Sequence, residues 1–487
     1  MTTQLPLPPR RNPTRATLVA ALAAALLAGC GLPTLQPAPV LPALPAQWSQ
    51  MPTATGDAPV QAWWLPLHDA ALDALIGQAL RSNRDVARSA LRWQQAALQA
   101  RVAGLDRWPK PAAGFNASAR RSLSGSGATT VLVNGVIVPV PSLPTVSTSY
   151  GASVSASYEV DLWARVALSQ ALARDAAAAS QADLDTARWL ITTKVAEQYW
   201  TLAAIDAKAE LASAATRDAQ ASLAATRLRH EVGKLRAADV VKAELALGEA
   251  RLRAQALATQ RVEATHALAL LLDRVPEALN APAARLPEGD PPEALATAPA
   301  SLLDRRPDLR SARLALDAAL HKLNLAEASR YPQLTLTASL SGGGEALRQV
   351  LANPIGSLGL GLAIPLVDWQ RAKAAREQTE LQLQEAAITF REALYKALVE
   401  VETQFAQRRQ LATELTQARH RRLAADEVLA IARLRYDNGA EAQQAVRDAE
   451  QAQRDATSAV LDLRLKNWLN LVAIQKSLGG PIAAAAN

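Results

Sequence analysis

The sequence predicts a mainly α-helical protein that also contributes strands to a membrane β-barrel, built from a duplicated unit of helix, β-hairpin and long helical hairpin. Three observations point there. The 487-residue chain is 49% apolar but only 4% aromatic, its apolar half carried by alanine and leucine, which is the composition of long helices. It matches itself at a spacing of roughly 200 residues, the mark of a domain duplication and not of a solenoid. Four short segments alternate apolar with small polar residues, as strands between lipid and a lumen do.

Residues 1–29 read as an export signal. Arg10, Arg11 and Arg15 form a basic start, and Ala16 to Ala28 is apolar apart from Thr17. That run of about 13 residues is too short to span a bilayer, which takes roughly 20. It ends in Leu27-Ala28-Gly29-Cys30, which resembles the bacterial lipoprotein box and holds the one cysteine of the chain. The resemblance implies cleavage before Cys30, acylation of that residue, and sorting to the outer membrane, because Gly31 and not an aspartate follows. Acyl chains bury in lipid at ~0.8 kcal/mol per CH₂, so a triacylated Cys30 is a firm anchor. Residues 30–62 are proline-rich and suit an extended tether.

The body is two copies of one unit, over 63–275 and 301–479, with a linker at 276–300 and a tail at 480–487. Asp106-Arg107-Trp108-Pro109 matches Ser329-Arg330-Tyr331-Pro332 at an offset of 223, as Asp85 matches Asp308. Leu162-Trp163-Ala164-Arg165 matches Asp368-Trp369-Gln370-Arg371, and the Arg227 to Gly233 stretch matches Arg433 to Gly439, both at 206. The first copy therefore carries a net insertion of 17 residues. Residues 69–106 read as helix with Leu72, Leu75, Ile76 and Leu80 on one face. Strands are expected at about 112–122 and 149–160, then at 333–341 and 357–366, each pair followed by a long helical hairpin, over 161–272 and 367–478. No proline interrupts Thr145 to Val275 or Leu366 to Gly480. A helix from Asp161 to His230 would be about 100 Å long at ~1.5 Å per residue, against a usual length of about 11–12 residues.

The strands have two faces. Leu334, Leu336, Ala338 and Leu340 alternate with Gln333, Thr335, Thr337 and Ser339, and Leu358, Leu360, Leu362 and Ile364 with Ser357, Gly359, Gly361 and Ala363. In the first copy Tyr150, Ala152, Val154, Ala156 and Tyr158 oppose Gly151, Ser153, Ser155 and Ser157, with Ala113, Phe115, Ala117 and Ala119 a weaker instance. Tyr150 and Tyr158 are spaced to put one ring near each interface of an apolar band. Lipid tolerates no open strand edge, and a single-chain barrel needs at least about eight strands. Four strands can close only by sharing a barrel with other copies, so a homo-oligomer is expected.

Several functions are excluded. One cysteine and five scattered histidines leave no recognisable metal-ligand set or nucleophile triad, so no metal, cofactor or catalytic residue is expected and the chain does not read as an enzyme. Three of the seven net positive charges sit in the export signal, and the rest are interspersed with acids, which is no footprint for nucleic acid.

The chain resembles the TolC-like outer-membrane factors, in the lipoprotein branch of drug-efflux outer-membrane subunits called NodT-like. The signatures are Trp63-Trp64, Leu72-Asp73-Ala74-Leu75-Ile76, Asn83-Arg84-Asp85-Val86 and Leu302-Leu303-Asp304-Arg305-Arg306-Pro307-Asp308-Leu309. Arg84 stands where the family usually has proline. The resemblance implies a homotrimer, with a twelve-stranded barrel continued by a periplasmic α-helical tunnel. Its implied partners are a periplasmic adaptor, an inner-membrane RND pump and outer-membrane lipid. Conduction would be passive, in small-molecule efflux; a duct for type I protein secretion and a scaffold lipoprotein without a pore are the competing readings.

Candidate site residues follow from position. Val232-Gly233-Lys234 and Asn438-Gly439-Ala440 lie where each long helix must reverse, and glycine suits a helix C-cap there. In the family that place is the tip where the adaptor docks. Asp239 and Asp448 follow on the returning helices as candidate gate carboxylates; the counterpart of Asp448 is Lys242. Three carboxylates around an axis would repel one another and attract cations. Arg305, Arg306, Pro307 and Asp308 form a structural motif, with proline and aspartate fitting a helix N-terminus. Trp163 and Trp369, just after the strands, are candidate membrane-interface aromatics alongside Tyr150 and Tyr158.

Overall fold

The computed structural model describes residues 35–37, 44–45, 47–49, 62–121, 130–133, 136–139, 146–275, 285–292, 299–364 and 369–479. The export signal, Cys30, most of the tether and the 480–487 tail lie outside them. In chain order the elements are α1 (Ala70–Ser82), α2 (Arg84–Leu105), β1 (Lys110–Arg121), β2 (Thr130–Val133), β3 (Val136–Pro139), β4 (Val146–Val160), α3 (Arg165–Glu231) and α4 (Ala237–Leu271). The second copy supplies α5 (Leu302–Arg305), α6 (Pro307–Ala328), β5 (Gln333–Gly344), β6 (Ile355–Ala363), α7 (Trp369–Asp437) and α8 (Gln443–Leu478).

Two elements differ from expectation. The single helix expected over 69–106 is two helices, broken at Asn83. That side chain accepts from the backbone N–H groups of Asp85 and Val86 at 2.9 and 3.2 Å, so it ends one helix and caps the next. The small antiparallel hairpin β2–β3 was not foreseen. It pairs Thr130 with Pro139 and Val133 with Val136, inside the longer β1–β4 connection of the first copy. Its signal was in the sequence as Asn134-Gly135 between two β-branched runs.

Two compact units emerge, and they are not the two repeats. Among the described residues, one comprises Leu98–Asp175 and Asp317–Ala386; the other comprises 62–97, Ala176–Leu316 and 387–479. Both repeats contribute to both units, because each sends its strands into one and its helix reversals into the other.

The first unit holds an antiparallel sheet in the order β1-β4-β5-β6, so the repeats meet where β4 of the first pairs with β5 of the second. Just beyond β4, Trp163 donates its indole N–H to the Pro332 carbonyl at 2.7 Å and packs on Tyr331 with ring centroids 4.9 Å apart.

The second unit is helical. Asp69 accepts from Ala71 and Leu72 N–H groups at the start of α1, fixing a helix that buries Leu72, Leu75, Ile76 and Ala79. Ala79 takes the buried place that Leu80 was expected to fill, because a 3.6-residue repeat sets it directly over Leu75 and Ile76. Trp63, Trp200 and Trp468 form a buried chain of rings, with centroids 6.4 and 4.9 Å apart. Four tryptophan and tyrosine rings from three stretches of sequence are thereby locked together, since Tyr199 also donates to Asp69 at 2.8 Å. Among the described residues no helix is long and apolar enough to cross a membrane.

Candidate functional site

The sheet sorts its residues by chemistry across all four strands. Along one row Ala113 faces Val154, which faces Leu340; along another Pro111, Ala156, Ala338 and Leu358 are in line, and Tyr158, Leu336 and Leu360 form a third. The alternate rows read Ala112, Ser155, Ser339 and Ser357, then Lys110, Ser157, Thr337 and Gly359. Hydroxyl pairs tie that polar face across strands, Ser118 to Ser149 at 2.9 Å and Ser339 to Ser357 at 2.7 Å. The apolar face carries exposed Val154, Leu340, Leu358 and Leu360, the last 69% accessible. A sheet with one bare leucine face and one hydroxyl face is suited to separate lipid from water. Tyr150 and Tyr158 stand on the apolar face, opposite Gly344 and Leu336. Trp369 is about half exposed under the Arg330 guanidinium, which lies 4.4 Å from the ring, whereas Trp163 is held by Pro332 and Tyr331.

The two helix reversals are built alike. At the end of α3, Lys234 N–H reaches the Arg229 carbonyl at 2.8 Å and Gly233 N–H the His230 carbonyl at 2.8 Å. At the end of α7, Ala440 N–H reaches the Arg435 carbonyl at 2.8 Å and Gly439 N–H the Tyr436 carbonyl at 2.9 Å. This is the left-handed glycine stop, with φ of +74° at Gly233 and +69° at Gly439. Val232, Lys234, Asn438 and Ala440 beside them are exposed.

Around the reversals an ion pair is duplicated. Arg227 meets Glu244 at 2.6 Å across α3 and α4, and Arg433 meets Glu450 at 2.9 Å across α7 and α8. Both members of the second pair are the 206-offset equivalents of the first. Sequence matching had found the arginines; carrying the same offset to the acids would have found the pair. The reversals also touch each other, because Arg229 donates to the Tyr436 hydroxyl at 2.8 Å and to Gln443 Oε1 at 2.5 Å.

The two candidate carboxylates have different surroundings. Asp239 accepts from the Arg236 backbone N–H at 3.1 Å, closing the first turn of α4. Asp448 is exposed on α8 and accepts from Gln444 Nε2 at 2.7 Å, one turn earlier.

Arg306 is buried at the junction of α5 and α6. It bonds Asp308 at 2.7 Å, Glu400 at 2.9 Å and the Ser477 carbonyl at 3.1 Å. Its equivalent Asn83 donates to the Leu271 carbonyl at 2.9 Å, and Leu271 is the equivalent of Ser477. Burial disfavours both charged groups, but the hydrogen bonds and opposite charge outweigh it, holding Asp308 below the usual carboxylate range and raising Arg306. Pro307 opens α6, and Arg305 closes α5. Gly479 follows α8 at φ +60°, where an added Cβ would lie 2.6 Å from Arg306 Cγ. Among the described residues no three or more His, Cys, Asp or Glu side chains come together as a metal site.

The family profile described as outer membrane efflux protein matches residues 75–274 and 298–480. The pyoverdine export outer membrane protein OpmQ of Pseudomonas putida is 30% identical over 465 residues, covering 93% of this chain and 95% of its own. The toluene efflux pump outer membrane protein TtgC of Pseudomonas putida is 26% identical over 480 residues, covering 96% of each chain. A crystal structure of CusC superposes with a TM-score of 0.79 at 22% identity, covering 93% of this chain and 100% of that one.

Proposed function

The chain belongs to the outer membrane efflux protein family, and we propose that it works as the exit duct of a tripartite pump assembled from three copies. It is an outer-membrane efflux channel, conducting solutes passively from periplasm to exterior. The observation that carries the mechanism is the four-strand register, with leucines on one face and hydroxyls and glycines on the other. Each sheet leaves the outer sides of β1 and β6 unpaired within one chain. Lipid tolerates no open edge, so closure by neighbouring copies is required, and three copies give twelve strands. The hydroxyl-lined face then forms a wet lumen, suited to polar solutes.

Energy comes from an inner-membrane pump of the RND class, joined through a periplasmic adaptor at the helix reversals. The exposed Gly233 and Gly439 turns support that docking place: they are pre-shaped, and their neighbouring side chains are free of packing duties. Asp448 and Asp239 gate the entrance nearby. Cys30 carries the lipid anchor. The relatives' stated cargoes, pyoverdine for OpmQ and toluene for TtgC, point to small molecules and away from secreted proteins.

Reconstitution tests the reading. Purified full-length protein in planar bilayers is expected to give discrete conductance steps without nucleotide or ion gradient coupling. A protein that inserts as a trimer and never conducts, even with the tip variants described below, would reduce it to a scaffold.

A further inference from the structure

We propose that Arg120 makes the outer mouth of the duct selective for anions, so that the exit favours small organic carboxylates, phenolates and sulfonates over cations of the same size. The inference rests on the channel reading and adds to it a residue that discriminates among solutes.

The strand register fixes the side on which Arg120 stands. In β1 it lies two residues beyond Ser118 and four beyond Asn116, so alternation puts all three on one face. That face is the hydroxyl one, because Ser118 and Ser149 bond across the strands at 2.9 Å. Arg120 is exposed and stands opposite Ser147. Its neighbour Arg121 falls on the other face, in line with Phe115 and Ala117.

Topology fixes the height. β1 follows α2 at Lys110 and β5 follows α6 at Gln333, so those strand ends meet the helices and the Arg121 end points outward. Tyr150, the ring nearer the outside, pairs with Ala117. Arg120 is three residues further out, about 10 Å along the strand. There its guanidinium is in water and keeps its charge at any ordinary pH.

Charge at this end is of one prevailing sign. From Pro111 to Tyr158 the sequence holds no charged residue except Arg120 and Arg121, and from Tyr331 to Val367 none except Glu345 and Arg348. Three arginines against one glutamate leave a net +2 per chain, and three copies triple it. Glu345 is the one acid at this end, and its carbonyl accepts from the Thr148 hydroxyl at 3.2 Å. Thr148 shares the apolar face with Tyr150, so that bond ties the Glu345 backbone to the lipid side. The lumen face has two further charges, Lys110 and Glu159, both at its inner end and both paired. Lys110 meets Asp106 at 2.8 Å, and Glu159 meets Arg165 at 2.6 Å. The fixed charge left on the lumen wall is therefore that of Arg120.

A rim of one sign over low-dielectric walls focuses its field into the opening and concentrates counter-ions there. Rings of arginine select anions in pores. The reach of such a field is the Debye length, ~10 Å at 0.1 M salt and ~30 Å at 0.01 M. The preference is thus graded and salt-dependent, and it needs no bound state. Selectivity across the whole duct sums the effects of both ends, so the change that Arg120 brings is the informative quantity.

Reversal potentials in planar bilayers read that change. Full-length Arg120→Gln, Arg120→Glu, Arg120→Lys and Arg121→Gln are each made in wild-type protein and in the Asp448→Ala background. They are compared under a potassium chloride gradient, once at about 0.03 M and once at about 1 M mean salt. At the lower salt the chloride-to-potassium permeability ratio is expected to fall about twofold in Arg120→Gln and further in Arg120→Glu, while Arg120→Lys retains it. At the higher salt, where the Debye length is ~3 Å, these differences should shrink. With potassium benzenesulfonate replacing potassium chloride, Arg120→Gln should lower the permeability of the organic anion by a similar factor. An unchanged ratio in Arg120→Glu at low salt overturns the inference. So does a shift from Arg121→Gln as large as that from Arg120→Gln, because the effective charge would then lie on the lipid side. Protein that never conducts in either background removes the channel reading itself, whereas conductance of unaltered selectivity removes this inference only.

Discussion

Arg306 is 9% exposed, and its three partners come from α6, α7 and the end of α8. Arg306→Met removes both ion pairs to the half-exposed Asp308 and Glu400 carboxylates and takes this donor from the carbonyl of buried Ser477, so it is expected to cost about 1–3 kcal/mol. Thermal unfolding in detergent would register this as a lowered Tm. The neighbouring carboxylate gives the loss a pH signature. Asp308 is held below its ordinary range, so its contribution is complete above the unfolded value near 4 and disappears as pH falls through the folded value beneath it. A Tm profile from pH 7 to 3 should therefore steepen below about pH 4, and Asp308→Asn should flatten that limb. The Arg306-Pro307-Asp308 run was recognisable in the sequence as the start of a helix. What Arg306 touches was not, because Glu400 and Ser477 are far away along the chain and only folding brings them to it.

At the level of elements, the long helices were readable from the absence of proline and their ends from Gly233 and Gly439. Both glycines sit at positive φ, where a Cβ costs roughly 1–2 kcal/mol. The strand faces were readable from period-two alternation, and the register then lined up the apolar sets of all four strands. That assignment makes a paired prediction. Leu360→Arg, on the bare apolar face, is expected to cost ~2–4 kcal/mol per chain in a membrane-assembly assay. Gly361→Ser faces the other way, with the nearest atom to an added Cβ 3.8 Å off, and should assemble normally. Equal behaviour of the two variants would mean the faces are reversed or absent. The break at Asn83 was missed because the helical period continues across it. Its cap is a side-chain hydrogen bond, and periodicity does not register such bonds.

For the whole molecule, the proposals on anchoring and gating each have a direct measurement. Cys30→Ser should abolish palmitate labelling while leaving barrel insertion possible; label persisting in the variant would place the acyl group elsewhere. Asp448 lies nine residues beyond Gly439, about two and a half turns from the tip. Threefold symmetry there would gather three exposed carboxylates around a narrow axis. Asp448→Ala should raise resting conductance, lower cation selectivity, or both, in planar bilayers at two salt concentrations, with Glu441→Ala as the tip control. Unchanged conductance and selectivity would return Asp448 to the role of an exposed helix residue bonded to Gln444. By itself the sequence determined the fold class, the duplication, the two-faced strands and the need for more than one copy. Each of these follows from a local period or from the offset between like segments, and both survive in one dimension. Only the tertiary structure decided that the repeats share two compact units, that Arg306 joins three helices, and that Ala182 of α3 is buried while its equivalent on α7, Ile388, is exposed. Those properties depend on which distant segments meet, and equivalent residues in a duplicated chain can have unlike neighbours.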